Sequence, residues 1–363
     1  FSPKQIMIVD AHLDLAYSKI ENGRELFLPL DQIREYEKHK PCVDGIATVT
    51  FPELRKGRVG LTFGSIFACP PTEPCQHINY HTPDQAYAVG LTQLDYYHRI
   101  VDENQSLRLI GDNKQLQELL DNQNYEFDSE TESPPLLGIV PMMEGADPVR
   151  EPAELEEWWE RGLRIIAPAW DDSRYAKGAW RQSTDGFSKD GFALMEVMAD
   201  LGFILDVTHL NEPATFQALE RYEGTIIASH SNSRQLAPHV EERNLSDSQA
   251  VLLGERGGVI GIALYNRFLK KNHVKGERKE VVTLDIVAAH IDHYCQLLGS
   301  ADYVGIGSDL DGGFGAADIP AEIDSVADLY KIGAKLAERG YESADVDKIM
   351  GGNWIALLQR SWG

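Results

Sequence analysis

The chain has 363 residues, a length that α/β barrels reach as single units, and its 43% hydrophobic and 9% aromatic content excludes a disordered protein. The 57 acidic residues outnumber the 34 basic ones and give a formal net charge of −23, which argues against nucleic acid and anionic membranes as partners, because both bind basic surfaces. No apolar run approaches the roughly 20 residues that span a bilayer.

The first predicted strand lies within residues 6–15, a short apolar run rich in Ile and Val that is typical of a buried parallel strand. It ends in His12 and Asp14, and because side chains alternate along a strand, these two point to the same side. An imidazole and a carboxylate on one face at the end of a strand suit a divalent metal. Taken alone, such a pair is more often a hydrogen-bonded histidine and a helix-capping aspartate, so the metal interpretation depends on the pattern recurring.

Strands and helices alternate along the rest of the chain. Seven further apolar runs indicate strands, at residues 60–68, 136–143, 163–169, 203–207, 225–228, 258–264 and 303–307. Helical patterns occupy residues 83–102, 152–161, 189–201, 211–221, 246–256, 283–298, 325–339 and 343–359. Eight parallel strands with intervening helices predict a TIM (β/α)8 barrel, a single domain over residues 1–363. A doubly wound open sheet is the alternative, but no strand is followed by Gly-x-Gly-x-x-Gly and the chain has no Walker sequence.

Residues that can bind a metal recur at the predicted strand ends. They are His12, Asp14, Glu144, His209, His230 and Asp309. In a barrel the carboxyl ends of the strands meet at one mouth, so these residues would converge there. Three histidines and three carboxylates can hold two divalent ions, with one carboxylate bridging them and a water or hydroxide between them. Asp309, if it is not a ligand, is a candidate to take the proton of this nucleophile and return it to a leaving amine.

Several segments at these strand ends resemble those of a known family. The chain resembles the membrane dipeptidase (renal dipeptidase, peptidase M19) family of amidohydrolase-type metal hydrolases over nearly its whole length. The matching segments are residues 10–15, 143–145, 206–209, 228–231, 243–244, 290–293, 305–312 and 350–354. Their order and spacing make the resemblance specific.

The resemblance implies two zinc ions as the usual cofactor, with other divalent metals as alternatives. His12 and Asp14 would hold one ion and His209 and His230 the other, with Glu144 bridging them. Asp309 matches the acid that transfers protons, and Arg243 matches the arginine that helps to hold the carboxylate end of the substrate, which suits its bidentate fork. Family members hydrolyse dipeptides and often accept a D-residue at the C-terminal side.

One segment departs from the family pattern. After the fourth predicted strand the dipeptidases carry a Thr-His pair, whose histidine contacts the substrate, whereas this chain has Trp170 or a neighbour at that place. An indole donates one N–H but cannot carry a proton or a positive charge. We therefore assign Trp170 to the substrate site and expect the range of substrates to differ from that of other members.

The leading hypothesis is a binuclear zinc hydrolase that cleaves the amide bond of a dipeptide by attack of a metal-bridging hydroxide, with Asp309 as the proton shuttle. The Trp170 departure prompts an alternative substrate, such as a lactone, a cyclic amide or an N-acyl amino acid, on the same metal site. A non-catalytic binding protein is a third hypothesis, which the retention of all six candidate residues at the strand ends disfavours.

The sequence predicts little about assembly and location. Family members often form homodimers, and nothing else in the sequence argues for or against one. The chain begins at Phe1 without a signal-peptide pattern, so we expect a cytoplasmic protein, with export after removal of a signal as the alternative. Four cysteines do not make a disulfide framework at this length; we expect reduced thiols, although Cys69 and Cys75 are spaced to close a small loop.

Overall fold

The computed structural model describes residues 7–71, 79–123, 134–181 and 183–363. Nine strands are found in these ranges, all paired in parallel: β1 Ile8–Leu13, β2 Val59–Phe67, β3 Leu107–Leu109, β4 Leu137–Glu144, β5 Ile165–Ala167, β6 Ile204–Asp206, β7 Ile226–Ile227, β8 Ile260–Ile262 and β9 Val304–Ile306. Eight of them follow the order β7-β6-β5-β4-β2-β1-β9-β8, and a parallel bridge between Ala228 and Ile260 joins the two ends of this path. The sheet is therefore a nearly closed eight-stranded barrel, which confirms the predicted TIM-barrel class.

Fourteen α-helices of the described residues surround the strands: α1 Leu15–Ile20, α2 Leu30–His39, α3 Phe51–Lys56, α4 Pro83–Glu103, α5 Asn113–Asp121, α6 Leu155–Glu160, α7 Lys189–Leu201, α8 Glu212–Arg221, α9 Asp247–Glu255, α10 Asn266–Leu269, α11 Leu284–Leu298, α12 Tyr330–Glu338, α13 Ser343–Asp347 and α14 Asn353–Ser361. Local sequence explains where several of them begin. Thr82 and Ser246 form capping boxes with Gln85 and Gln249, so backbone N–H groups that the helix leaves unpaired are satisfied. Asn211 caps α8, which carries a proline in its first turn.

The C-terminal segment closes the end of the barrel at which the strands begin. The Trp354 indole of α14 donates to the carbonyl of Ile306 (3.0 Å) and its ring contacts Phe63 edge to face, with centroids 5.3 Å apart. Asn353 donates to the carbonyls of Ala301 and Val304, which flank the start of β9 (2.7 Å each). With this end packed by apolar side chains, the opposite end, at the carboxyl termini of the strands, is the one that can hold a site.

Two features differ from the sequence predictions. The strand β3 was not predicted, and it pairs only with β4, outside the ring of eight. Cys69 is disulfide-bonded, so the expectation of reduced thiols was wrong for this residue. Cys75 lies outside the described residues, whereas Cys42 and Cys295 are reduced, as expected. Among the described residues, no helix is both long enough and apolar enough to cross a membrane.

Candidate metal centre

The barrel brings all six predicted strand-end residues to one place. His12 lies in β1 and Asp14 follows it, Glu144 is the last residue of β4, and the other three follow β6, β7 and β9. Each residue is at most 7% exposed, the set being His12, Asp14, Glu144, His209, His230 and Asp309. The folded chain thus buries three imidazoles and three carboxylates together, which is costly unless protons or cations compensate the charge.

Glu144 lies at the centre of the three histidines. Its Oε1 atom is 2.9 Å from Nε2 of His209, 3.4 Å from Nε2 of His230 and 3.6 Å from Nε2 of His12. The Nε2 atoms of His209 and His230 are themselves 3.1 Å apart. A carboxylate in this position can bind a cation together with one of the three imidazoles, and it is near enough to contact two neighbouring cations.

His12 faces the other two carboxylates. Its Nε2 atom lies 3.6 Å from Oδ2 of Asp14 and 3.8 Å from Oδ1 of Asp309. Two groups of closely spaced ligand atoms therefore share His12, one with Glu144 and His230 and the other with Asp14 and Asp309. Asp309 is near enough to act either as a ligand or as an acid–base group.

The donor set fits a divalent metal. Within the described residues, neither ring nitrogen of His12 has a hydrogen-bond partner, and Nδ1 of His209 has none either. Buried polar atoms are rarely left in this state unless something else binds them. Imidazole and carboxylate donors are the ligands that zinc and similar borderline divalent ions prefer.

The electrostatics of the cluster point in the same direction. Burial disfavours the charged form of His12, but the carboxylates of Glu144 and Asp14 outweigh it and raise the pKa to about 10. Burial raises the pKa of Glu144 well above its usual range. Burial also lowers the pKa of His209 and His230 well below the usual range of histidine, which keeps both rings neutral, as metal ligands must be. In the cluster, protons on His12 and Glu144 compensate the concentrated negative charge. A bound cation would compensate the same charge and replace these protons.

Asp309 has the properties of an acid–base group at neutral pH. Burial raises its pKa to about 7, with His12 opposing and Asp14 adding to the shift. Its backbone φ is 60°, and that of His209 is 70°, so both residues adopt the left-handed conformation that side chains with a Cβ rarely occupy. Such strain is retained where the surrounding structure imposes it, often at functional sites.

Two aspartates fix the strand ends that carry the candidate ligands. The carboxylate of Asp10 accepts the backbone N–H (2.7 Å) and the hydroxyl (2.5 Å) of Ser308, the residue before Asp309. Asp206 accepts the same two groups from Ser229, the residue before His230. A third contact joins the hydroxyl of Ser65 to Asp14. These supporting residues were not among the predicted site residues. The sequence held a signal for them, since Asp10 lies two positions before His12 and Asp206 three positions before His209.

A cavity of about 370 Å³ opens above the cluster. Its described lining includes Asp14, Glu144, His209 and Asp309, so the candidate ligands are accessible from it. The other lining residues are mostly aromatic or charged: Tyr17, Val43, Asp44, Phe67, Trp170, Trp180, Tyr265, Phe268, Lys275, Gly312 and Gly313. Among the described residues, Lys275 is the one lysine or arginine of this lining, and no motif in the sequence singles it out.

Trp170 lies in the cavity wall beside the candidate ligands. Its ring centroid is 5.2 Å from that of Phe67, 5.7 Å from that of His209 and 6.3 Å from that of Trp180. The three aromatic side chains form an apolar wall beside the candidate ligands. The wall supplies contact area for an apolar group and no titratable group.

Arg243 occupies a different position from the cavity residues. It is 1% exposed, it donates to the carbonyl of His230 (3.0 Å), and its guanidinium stacks on Phe268 with the central carbon 4.4 Å from the ring centroid. It is not part of the cavity lining, so in this structure it supports the backbone of His230 from behind. Its positive charge still acts on Asp309 and Glu144, since it stabilises their ionised forms.

Comparison with known proteins gives consistent matches. A sequence model of the membrane dipeptidase family (peptidase family M19) matches residues 3–361. An uncharacterised protein of the pqqA 5′ region of Klebsiella pneumoniae is 31% identical over 235 residues, 62% of this chain and 83% of that protein. An uncharacterised dipeptidase of Schizosaccharomyces pombe is 26% identical over 360 residues, 96% of this chain and 80% of that protein. A metallo peptidase from Rhodobacter sphaeroides, liganded with a phosphinate mimic of the dipeptide L-Ala-D-Ala, has a TM-score of 0.79 at 22% identity, covering 99% of this chain and 100% of that chain.

Proposed function

Because the chain belongs to the membrane dipeptidase family, peptidase family M19, we propose that it is a binuclear zinc dipeptidase in which the whole chain forms one catalytic barrel domain. The observation that carries the proposal is the position of Glu144 Oε1 within 3.6 Å of the Nε2 atoms of three buried histidines. His12 and Asp14 would hold one ion, His209 and His230 the other, and Glu144 would contribute to both. Ions bound there would lower the pKa of a water molecule and polarise the carbonyl of the substrate.

The acid–base step belongs to Asp309. A water molecule adds its oxygen to the amide carbonyl and gives a proton to the Asp309 carboxylate. The C–N bond then breaks, and Asp309 returns the proton to the nitrogen of the leaving amine. Asp309 lies in the cavity lining beside His12, so its carboxylate faces the place where the reacting amide would bind and can take up and return the proton. The products are two amino acids, and Asp309 ends in its starting protonation state.

The charges of the cavity fit the two ends of a dipeptide. Asp44 lines it and is suited to the substrate ammonium group, whereas Lys275 is suited to the substrate carboxylate. Arg243 would add long-range attraction for that carboxylate from behind the wall. The Rhodobacter relative holds a mimic of a dipeptide with a C-terminal D-residue, and we propose that the present cavity also accepts a D-residue at this side.

The aromatic wall favours a second candidate substrate class. Phe67, Trp170 and Trp180 present apolar surface beside the candidate ligands. The family resemblance implies that other members have a substrate-contacting histidine at the position of Trp170 or a neighbour. A neutral cyclic amide, a lactone or an N-acyl amino acid with an apolar group would use this surface without needing that histidine. The metal centre and Asp309 would act on any of these carbonyl compounds in the same way.

The test is a hydrolysis assay of zinc-loaded protein against dipeptides with L- or D-residues at the C-terminal side, beside lactones, cyclic amides and N-acyl amino acids. We expect turnover of dipeptides that stops on chelation and returns with zinc. Turnover of the other compounds alone would replace the dipeptidase proposal with the second candidate. Tight ligand binding without turnover at full zinc occupancy would overturn both and indicate a binding protein.

A further inference from the structure

Asp206, Ser229 and His230 form a buried chain of hydrogen bonds that ends at the candidate metal centre. Each of the three is at most 1% exposed. Oδ1 of Asp206 accepts the backbone N–H groups of Thr208 and Ser229 (2.9 Å each), and Oδ2 accepts the hydroxyl of Ser229 (2.5 Å). Oγ of Ser229 also lies 2.8 Å from Nδ1 of His230.

The direction of these bonds follows from counting protons. A carboxylate only accepts hydrogen bonds, and a serine hydroxyl has one proton to donate. The Ser229 proton is committed to Asp206, so the bond between Ser229 and His230 exists only if Nδ1 of His230 carries a proton and donates it. A neutral imidazole protonated at Nδ1 has a bare lone pair at Nε2, the nitrogen that faces Glu144 Oε1 at 3.4 Å.

We propose that Asp206 and Ser229 are positioning residues that hold His230 as the Nδ1–H tautomer, so that its Nε2 lone pair is ready to bind a metal ion. The inference rests on the proposed function in one respect, which is the role of His230 as a ligand. Partners of this kind orient a ligating histidine and raise its basicity, and losing one typically weakens metal binding by about 10- to 100-fold.

The chain contains a matched control for this arrangement. Asp10 holds Ser308 through the same pair of bonds, to the backbone N–H and to the hydroxyl. Oγ of Ser308 accepts from the backbone N–H of Leu310 (3.3 Å) instead of from an imidazole. An identical substitution at the two aspartates therefore disturbs the same type of contact between strand ends. Asp10 contacts His12 through the backbone N–H (3.4 Å), whereas the Asp206 network reaches the imidazole of His230.

The decisive variant is Asp206→Asn. The asparagine carbonyl oxygen can keep the two backbone N–H bonds, which turns its NH₂ group toward Ser229 and makes it the donor. The Ser229 proton is then released, and Nδ1 of His230 at 2.8 Å is a nearer acceptor than Oγ of Thr208 at 3.4 Å. His230 must become the Nε2–H tautomer to accept it, and that form cannot bind a metal through Nε2.

The first measurement is the tautomer of His230 in the metal-free protein, read from two-bond ¹H–¹⁵N correlations of ¹⁵N-histidine-labelled samples. His230→Gln identifies the His230 signals. We expect Nδ1–H in the wild type and in Asp10→Asn, and Nε2–H in Asp206→Asn. An Nε2–H tautomer in the wild type, or no change in Asp206→Asn, would overturn the proposal. Because this readout needs neither metal nor activity, it remains valid if the proposed function fails.

The second measurement is zinc affinity by competition with a chromogenic chelator. We expect Asp206→Asn to bind the weaker of its two zinc ions about 10- to 100-fold less tightly than Asp10→Asn does. Equal affinities in the two variants would contradict the tautomer mechanism and indicate a purely structural role for both aspartates. Should Asp206→Asn not fold, Ser229→Ala removes the acceptor of Nδ1–H, and we then expect a mixture of tautomers and the same loss of affinity.

Discussion

Oε1 of Glu144 lies 2.9 Å from Nε2 of His209, although β4, which ends at Glu144, and β6, which precedes His209, are separated in the barrel by β5. Only curvature of the sheet brings side chains from non-adjacent strands to this distance. The contact places a carboxylate where it can serve both candidate ions. Removing its charge is therefore the most direct test of a two-ion centre.

For Glu144→Gln we expect the zinc content to fall from two ions per chain to one or none, and turnover to fall by at least about 100-fold. The amide keeps the size of the side chain but removes the negative charge that both ions would share. Elemental analysis of dialysed protein measures the content, and circular dichroism checks that the fold persists. Two tightly held ions in this variant would contradict a bridging role for Glu144.

Replacing Asp309 separates proton transfer from metal binding. In Asp309→Asn we expect kcat to fall by about 10²- to 10⁴-fold, the usual contribution of a general acid–base group, while zinc content and KM change little. Steady-state kinetics on the zinc-loaded variant measures this. A loss of zinc together with activity would instead assign Asp309 as a ligand, a role that its distance of 3.8 Å from His12 also allows.

Trp170 should act on substrate binding and not on the metals. For Trp170→Ala we expect KM for dipeptides with an apolar side chain to rise by roughly 5- to 30-fold, since a buried aromatic contact contributes about 1–2 kcal/mol. Trp170→Phe keeps part of the wall with Phe67, so its KM should lie between those of the wild type and of Trp170→Ala. Trp159→Phe, whose ring packs on Phe203 outside the cavity lining, is the control that should leave KM unchanged.

Gly261 in β8 is required by a close approach of two backbones. An added Cβ would lie 1.8 Å from the carbonyl oxygen of Ser229, which belongs to the adjacent strand end and cannot move alone. We expect Gly261→Ala to lower the free energy of unfolding by at least about 3 kcal/mol, measured by urea denaturation. Gly352→Ala, where the nearest atom is 3.3 Å away, is the matched control and should change it by less than about 1 kcal/mol.

Asp147 should make stability depend on pH. Burial raises its pKa from 3.8 to about 6, although the Tyr80 hydroxyl donates to it (2.6 Å) and opposes the shift. The folded state therefore binds the Asp147 proton more tightly than the unfolded state does. The resulting increase in the free energy of unfolding is present below about pH 4 and is lost as the pH rises to 6.

The variant Asp147→Asn keeps an acceptor for Tyr80 but no longer titrates. Relative to the wild type, we expect it to gain stability between pH 4 and pH 7, by on the order of 2–3 kcal/mol, in urea denaturation at a series of pH values. A constant difference between the two proteins over this range would show that the pKa of Asp147 is not raised. Other titrating groups cancel because both proteins contain them.

The amino-acid sequence alone determined the class of fold and the kinds of side chains that meet at the candidate site. Strands such as Ile8–Leu13 and Leu137–Glu144 are recognisable because burial on both faces requires continuous apolar runs. The polar residue that ends each run is read directly from the chain. In a parallel barrel all such ends lie on the same side, so the convergence of His12, Glu144 and His209 followed from their positions along the chain.

Only the tertiary structure decided how these residues face one another and what supports them. Three such contacts join residues from different segments of the chain: the closure between Ala228 and Ile260, the hydrogen bonds that Ser229 donates to Asp206, and the packing of Arg243 behind the cavity wall. Local propensity carries no information on such contacts, because they depend on the stagger of the strands around the barrel and on side-chain packing. The kinds of ligands are a property of the sequence, whereas their distances and protonation are properties of the closed barrel.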